Sequence, residues 1–392
     1  MELHGGYRHR ASEKTGRPVE EWLDFSANIN PFGMPKSIKN AMIQAMEELI
    51  HYPDPDCLAL TKALAQFEQV KEERIFCGNG GADVLYRYLM TQNPKKVLIP
   101  VPTFVEYEEV LKNQYPDEVL ITDYGQESLE EQQETMDSKS YKREIVHYSM
   151  AQWEEKDGFY PEWGKHHLEL TEEVLQVIDS SYDLMILCSP NNPTGKVIEQ
   201  TLLKDIVECT KKHHVALLLD LSFSDFLEEK NEAIEEYLKG QSHVMLLHSF
   251  TKMYGMPGIR IGYGVLGLGM NAESLKTKGP SWTVNHLAQI AGLTALKETE
   301  FVKKTVDYVA KERQSMEKQL EDMGYLVVKG KANYILFQKR GDTTLHKRML
   351  QRGILIRSCQ NYAGLGEDYY RIAIKNSEQN KILIEQLKEE RL

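Results

Sequence analysis

Lys252 follows the apolar run Val244–His248 and ends the string Ser249-Phe250-Thr251-Lys252, with Arg260 eight residues further on. A lysine at the end of a strand can bond covalently to a cofactor aldehyde. The hydroxyls of Ser249 and Thr251 and the Arg260 guanidinium suit a phosphate, which such donors hold by charge-assisted hydrogen bonds. Alone, the string also fits a surface lysine in a loop. Asp220 closes a second apolar run, Val215–Leu219. A carboxylate there is costly to bury unpaired. Paired with the protonated nitrogen of a ring cofactor, it would keep that ring able to accept electrons. Alone, it also fits an exposed aspartate at a strand boundary.

Three further strings lie upstream. Ser189-Pro190-Asn191-Asn192-Pro193-Thr194-Gly195 follows the run Leu184–Cys188 and would project the Asn192 amide at the carboxyl edge of a sheet, where open α/β sheets bind ligands. Asn192 there could donate to a ring hydroxyl oxygen; the alternative is a plain turn. Gly78-Asn79-Gly80-Gly81-Ala82-Asp83 precedes the helical stretch Val84–Met90. Small residues at Gly80, Gly81 and Ala82 let backbone N–H groups approach a phosphate at a helix N-terminus, although a glycine-rich loop alone is weak evidence. Phe104, after the run Val97–Val101, could stack on a cofactor ring or fill a core.

These residues need a scaffold, and the pattern around them describes one. Short Val/Ile/Leu runs at Val97–Val101, Leu184–Cys188, Val215–Leu219, Val244–His248 and Ile261–Val265 alternate with helical stretches such as Thr201–His213. That alternation predicts a mainly parallel sheet covered by helices on both faces. Residues 1–35 read as an irregular arm around Asp24-Phe25-Ser26-Ala27-Asn28-Ile29-Asn30-Pro31. A helix follows, with Ser37 as its expected cap. From about 285 a long helical stretch to 323 leads into Tyr334–Phe337, Ile354–Arg357 and Tyr370–Ile374, a smaller α+β domain. The expected division is therefore arm 1–35, large domain 36–284 and small domain 285–392. Residues 125–165 have no clean period and read as a surface insertion or lid.

Composition excludes several classes. The chain has 392 residues, 41% hydrophobic and 27% charged, with 47 basic and 59 acidic side chains for a net charge of −12. No basic face for nucleic acid is evident. The five cysteines form no CxxC pair, so neither a disulfide framework nor a metal site is expected and a reducing cytoplasm fits. The N-terminus lacks an apolar leader segment, and no apolar run approaches membrane-spanning length.

The order glycine loop, aromatic, Asn-Pro-Thr-Gly, Asp, Ser-x-Thr-Lys, Arg resembles the fold-type I enzymes that use pyridoxal 5′-phosphate (PLP), specifically the aminotransferase group. The resemblance covers nearly the whole chain apart from 125–165. It implies a seven-stranded, mainly parallel sheet in the large domain, PLP held on Lys252 with Asp220 at the ring nitrogen, and Lys252 acting afterwards as general acid. The arm His4-Gly5-Gly6 with Asp24–Pro31, the string Pro280–Asn285, and the distal strings Ile354–Cys359, Asn361-Tyr362, Gly364-Leu365 and Tyr369–Ile374 are similar to the threonine-phosphate decarboxylase family of cobalamin biosynthesis. They match the related histidinol-phosphate aminotransferase family less well. By that resemblance Arg371 grips a substrate α-carboxylate, and Arg357, with His4, Gly5 and Asn28 of the arm, meets a substrate phosphate. Tyr52 would reach the cofactor phosphate of a partner subunit, which implies a homodimer. The sequence departs from the family at Asp220-Leu221-Ser222-Phe223, where Asp-Glu-Ala is common and Phe223 replaces a frequent tyrosine. The implied reaction is decarboxylation of threonine phosphate or serine phosphate. The alternatives are an aminotransferase of histidinol-phosphate type and a PLP-binding regulator without turnover, the latter lacking a DNA-binding arm here.

Overall fold

A computed structural model describes residues 5–125, 142–150, 168–229 and 231–390. In the arm, the short strand β1 (Leu23–Asp24) pairs in parallel with a strand far along the chain, Ile354–Leu355. The main sheet is built from β2 (Ile75–Gly78), β3 (Lys96–Val101), β4 (Val119–Asp123), β5 (Arg143–Ser149), β6 (Leu184–Cys188), β7 (Ala216–Asp220), β8 (Val244–Ser249) and β9 (Gly262–Val265). Their order is β2-β9-β8-β7-β6-β3-β5-β4. All neighbours run parallel except β9, which is antiparallel to both β2 and β8. The class matches the expectation; the strand count does not, since among the described residues the sheet has eight strands rather than seven.

The sheet is apolar on both faces because its side chains alternate between two cores. On β6 and β7, Met185, Leu187, Leu217 and Leu219 enter one core, while Leu184, Ile186 and Leu218 enter the other. The helix Gly81–Gln92 lays Val84, Leu85, Tyr88 and Leu89 on the second core. The helix Gln200–Lys212 lays Leu202, Leu203, Ile206 and Val207 on the first, and Glu199 caps it by accepting from the N–H groups of Thr201 and Leu202.

Strand β5 corrects the view of 125–165 as one surface insertion. Arg143–Ser149 is buried over most of its length and pairs with β3 and β4 inside the sheet. The flanking residues 126–141 and 151–167 lie outside the described set.

The second sheet is antiparallel. Its strands are β10 (Leu326–Val328), β11 (Tyr334–Gln338), β13 (Arg357–Ser358) and β14 (Tyr369–Ala373), in the order β10-β11-β14-β13; β12 (Ile354–Leu355) instead takes β1. The expected continuous helix from 285 to 323 is two helices, His286–Ala295 and Thr299–Asp322. Ser37 is not a cap: the helix Lys36–Gln44 starts after Pro35 without a side-chain cap, and the Ser37 hydroxyl donates instead to Glu298 at 2.5 Å.

Pairing of β1 with β12 carries the arm across the sheet edges. The Phe25 N–H donates to Leu355 O at 2.8 Å, and the Ala373 N–H donates to Phe25 O at 2.8 Å. The Asn30 N–H donates to Lys252 O at 3.1 Å. Residues 26–30 are thereby fixed between the end of β8 and the end of β14.

Candidate active site

The carboxyl ends of β6, β7 and β8 open into one cavity of about 380 Å³. The second sheet closes its far side, with Arg357 and Arg371 among the lining residues. Strand ends are the only places where a parallel sheet frees side chains from both cores, so ligand-facing groups collect there.

Asp220 ends β7 and is buried. Both carboxylate oxygens are held: Oδ2 accepts from the Tyr107 hydroxyl at 2.7 Å, and Oδ1 accepts from the Ser222 N–H at 2.8 Å. Burial, and then the Asp220 charge, raise the Tyr107 phenol well above its ordinary range, so it stays a donor. Phe104 lines the cavity and meets Tyr107 edge to face at 5.7 Å. Phe223 is buried with its ring edge against Tyr334 at 5.0 Å, and brings no hydroxyl to the site.

Lys252 stands just after β8 in the short helix Phe250–Met253. Burial pushes its amine down to about 8; Arg371 and Arg260 add to the shift and Asp220 opposes it. The group is thus partly neutral near physiological pH, as a nucleophilic lysine must be.

A set of donors lies beside it. Gly80 precedes the helix Gly81–Gln92 with φ +85, and a side chain there would collide with the Arg260 guanidinium. A Cβ on Gly262 would fall 2.6 Å from the Gly81 nitrogen, so β9 presses directly on the glycine loop. Gly81 and Ala82 line the cavity from the first turn of that helix, where N–H groups have no intrahelical acceptor. The hydroxyls of Ser249 and Thr251 are 2.8 Å apart at the same wall. Helix N–H groups, two hydroxyls and a guanidinium make a donor set with the chemistry of a phosphate cradle.

Arg371 and Arg357 are directly opposed on β14 and β13, and both are buried. One Arg371 nitrogen, Nη1, donates to Asn192 Oδ1 and, at 3.2 Å, to the Tyr362 hydroxyl; Nη2 donates to Ser26 O at 3.1 Å. Among the described residues its buried Nε has no partner, nor has Oδ1 of Asn28, another lining residue. Arg357 donates to Asn361 Oδ1 at 2.7 Å. Gly5 packs so closely on the Ser26 backbone that a Cβ would overlap its carbonyl, and Gly6 N–H donates to the Ser26 hydroxyl at 2.8 Å.

The structure therefore brings Gly5, Asn28, Phe104, Asn192 and Asp220 to one cavity with Lys252, its flanking hydroxyls and the arginines. Gly80 sits behind that wall. Tyr52 does not reach the cavity of its own chain: it is 85% exposed and its ring lies 5.4 Å from that of Trp282. His4 lies outside the described residues. Sequence reasoning missed Tyr107, Tyr362 and Ser26 as members of the site. Tyr107 had one usable signal, its position three residues after Phe104 at a helix start; its partner Asp220 is 113 residues away. Among the described residues no group of three His, Cys, Asp or Glu side chains could hold a metal ion, and no helix is long and apolar enough to cross a membrane.

A mainly parallel α/β sheet, a depressed lysine after one strand, a clamped carboxylate at the end of the neighbouring strand and a phosphate-type cradle beside the lysine define an enzyme site for a small phosphorylated ring cofactor held through an amine. Comparison with known proteins gives the family. The model of the class I and II aminotransferases matches residues 20–123 and 159–387, and the chain belongs to that family. It is 34% identical to the threonine-phosphate decarboxylase of Salmonella typhimurium, over 98% of this chain and 95% of that protein. Among solved structures it is similar to the histidinol-phosphate aminotransferase of Clostridium acetobutylicum, with a TM-score of 0.78, 25% identity and coverage of 94% and 99% of the two chains. It shares its fold with the histidinol-phosphate aminotransferase of Sinorhizobium meliloti, solved in complex with pyridoxal-5′-phosphate, with a TM-score of 0.74 at 18% identity over 97% and 94% of the two chains.

Proposed function

We propose that the chain is a PLP-dependent decarboxylase of a phosphorylated amino acid. It would convert L-threonine O-3-phosphate to (R)-1-amino-2-propanol phosphate, or L-serine phosphate to ethanolamine phosphate, in cobamide biosynthesis. One observation carries this reading: two buried guanidiniums, Arg357 and Arg371, face the cavity that also holds Lys252. One arginine suffices for an α-carboxylate; the second suits a second anion on the same small molecule. The likeness to threonine-phosphate decarboxylase along almost the whole chain supports it.

The donor set by the Gly80 loop, Ser249, Thr251 and Arg260 fits the PLP phosphate, and Asp220 fits the ring nitrogen. PLP, when bound, supplies an electron-accepting ring that lets a bond at the substrate α-carbon break with its electron pair left behind. Asp220, with both oxygens clamped, holds the proton on the ring nitrogen. Phe104 covers a face of the site. Arg371 and Arg357 orient the substrate, and the orientation selects which α-carbon bond is weakened. The Lys252 amine, poised near neutrality, returns a proton to the α-carbon.

The same proposal includes a homodimer in the cytoplasm, with Tyr52 serving the partner's site. Exposed Ile43, Met46, Leu49, Ile50, Tyr52 and Leu58 form an apolar stretch that a monomer would leave in water, which favours self-association. All five cysteines are free, consistent with a reducing compartment. The division into arm 1–35, cofactor domain 36–284 and small domain 285–392 belongs to it as well. Purified holoenzyme given L-threonine O-3-phosphate or L-serine phosphate should release stoichiometric carbon dioxide. Transfer of the amino group to a keto acid instead would establish the aminotransferase alternative, which the histidinol-phosphate aminotransferase neighbour favours. One methyl group separates the two substrates, and pockets discriminate a methyl only weakly.

A further inference from the structure

The two anion-binding arginines sit on neighbouring strands, and each presents a flexible side chain. Two opposed cations repel, so something must hold their spacing if they are to read the two ends of one substrate. Strand pairing fixes their Cα positions, with Arg357 opposite Arg371, but not their guanidiniums.

One buried side chain touches both. The Tyr362 hydroxyl accepts from Arg371 Nη1 at 3.2 Å and donates to Asn192 Oδ1 at 3.3 Å. Asn192 Oδ1 also accepts from Arg371 Nη1, so Arg371, Asn192 and Tyr362 close a three-membered hydrogen-bonded ring. The face of the same tyrosine carries Arg357, whose guanidinium carbon lies 5.5 Å from the ring centroid. Tyr362 is 3% exposed and lines the cavity. Its chain neighbour Asn361 also holds Arg357, accepting from Nη2 through Oδ1 at 2.7 Å.

We propose that Tyr362 is the positioning residue that sets the distance between the two anion grips, its hydroxyl fixing Arg371 and its ring face fixing Arg357. A tyrosine can do this because it has a polar end and an aromatic face on one rigid body. The inference rests on the substrate reading above, in which Arg371 takes the carboxylate and Arg357 the phosphate. It makes the two functions of Tyr362 separable: Tyr362→Phe keeps the face and loses the hydroxyl, whereas Tyr362→Leu loses both.

The test compares wild-type holoenzyme with Tyr362→Phe and Tyr362→Leu on L-threonine O-3-phosphate and L-threonine, with PLP affinity measured alongside. Tyr362→Phe should raise KM for both amino acids roughly tenfold, as expected for one hydrogen bond to a charged group, and keep the preference for the phosphorylated one. Tyr362→Leu should in addition cut that preference by roughly three- to tenfold, the range of a lost cation–π contact. PLP affinity should fall far less than kcat/KM in both, because Tyr362 touches both arginines directly and the cofactor side only through Asn192. Equal losses in the two variants, or a fall in PLP affinity matching the fall in kcat/KM, overturn the inference in favour of simple packing. The wild-type preference tests the substrate reading itself. If the wild type does not prefer the phosphorylated amino acid, that reading fails and the ring-face half of the inference fails with it. The hydroxyl half is still decided by the KM of Tyr362→Phe for L-threonine.

Discussion

Removing one arginine at a time should unlink the two ends of the substrate. Arg371 is tied to Asn192, Tyr362 and Ser26, and its buried Nε is left for an incoming oxygen. A hydrogen bond to a charged group contributes about 1.5–3 kcal/mol, and each 1.4 kcal/mol is about tenfold in binding. Arg371→Ala should therefore lower kcat/KM at least ten- to a hundredfold for every amino acid tried, phosphorylated or not. Orphaning the Asn192 and Ser26 oxygens adds to the loss. Arg357→Ala should cost a similar factor for L-threonine O-3-phosphate and little for L-threonine. The assay is carbon dioxide release against concentration for both substrates, with Arg357→Lys as a control that keeps charge but not the planar fork. Because Tyr362 touches both arginines, the double variant should not be additive. Equal loss on both substrates in Arg357→Ala would refute the assignment of Arg357 to the phosphate and remove the main ground for a doubly anionic substrate.

The remaining expectations concern the cofactor and the partner chain. Borohydride treatment of the yellow holoenzyme should fix the cofactor on Lys252, and mass spectrometry finding the label on another lysine ends that assignment. Capture of PLP by the cofactor-free protein needs the neutral amine, so its rate should rise with pH and level off above about 8, where the Lys252 proton is lost. Arg371→Ala should move that midpoint upward, because Arg371 is part of what depresses it; a rise continuing toward pH 10 in the wild type contradicts the burial argument. Asp220→Asn should reduce turnover far more than PLP retention, since phosphate contacts do most of the holding, and Tyr107→Phe should act in the same direction but more weakly. Unchanged activity in Asp220→Asn would remove its assigned role. Mixing inactive Tyr52 and Lys252 variants should restore part of the activity if Tyr52 serves the partner's site, and none if each chain works alone.

Legibility in the sequence followed burial. Strands β3, β6, β7 and β8 each carry an apolar run of four residues or more because both sheet faces are covered, and the ends of β6, β7 and β8 mark the Asn192 turn, Asp220 and Lys252. Strand β5 is also flanked on both sides but reads Arg-Glu-Ile-Val-His-Tyr-Ser, and no period betrays it. Its polar groups are paid for by partners distant in the chain. Arg143 donates to the Pro94 carbonyl and to Asn93 Oδ1, Glu144 accepts from the Thr122 hydroxyl at 2.8 Å, and His147 meets Glu108 at 2.9 Å. Strand β4 is a half-exposed edge, which a burial pattern marks poorly. Tyr107 and Tyr362 escaped for the same reason as β5: their roles are defined by contacts with Asp220 and with the arginines, which only the fold creates.

The charge of the chain and the charge of its cavity have opposite signs, and that opposition is the work of the fold. A chain of net charge −12 assembles Lys252, Arg260, Arg357 and Arg371 from three separate parts of the sequence around one space. Asp220 is the buried carboxylate that faces them, and Tyr107 and Ser222 occupy both its oxygens. Burial first, and then the cations Arg371 and Arg260, lower the proton affinity of Lys252. The arrangement that draws anions in is therefore also the one that frees the lysine for its first task, bonding to an aldehyde. A carboxylate seated on Arg371 would offset its pull and return proton affinity to the same amine. That is the direction in which a lysine must move if it is next to carry a proton to the α-carbon. Shifting the capture midpoint by Arg371→Ala measures half of this cycle directly, since deleting the cation and neutralising it with a bound carboxylate act on Lys252 with the same sign.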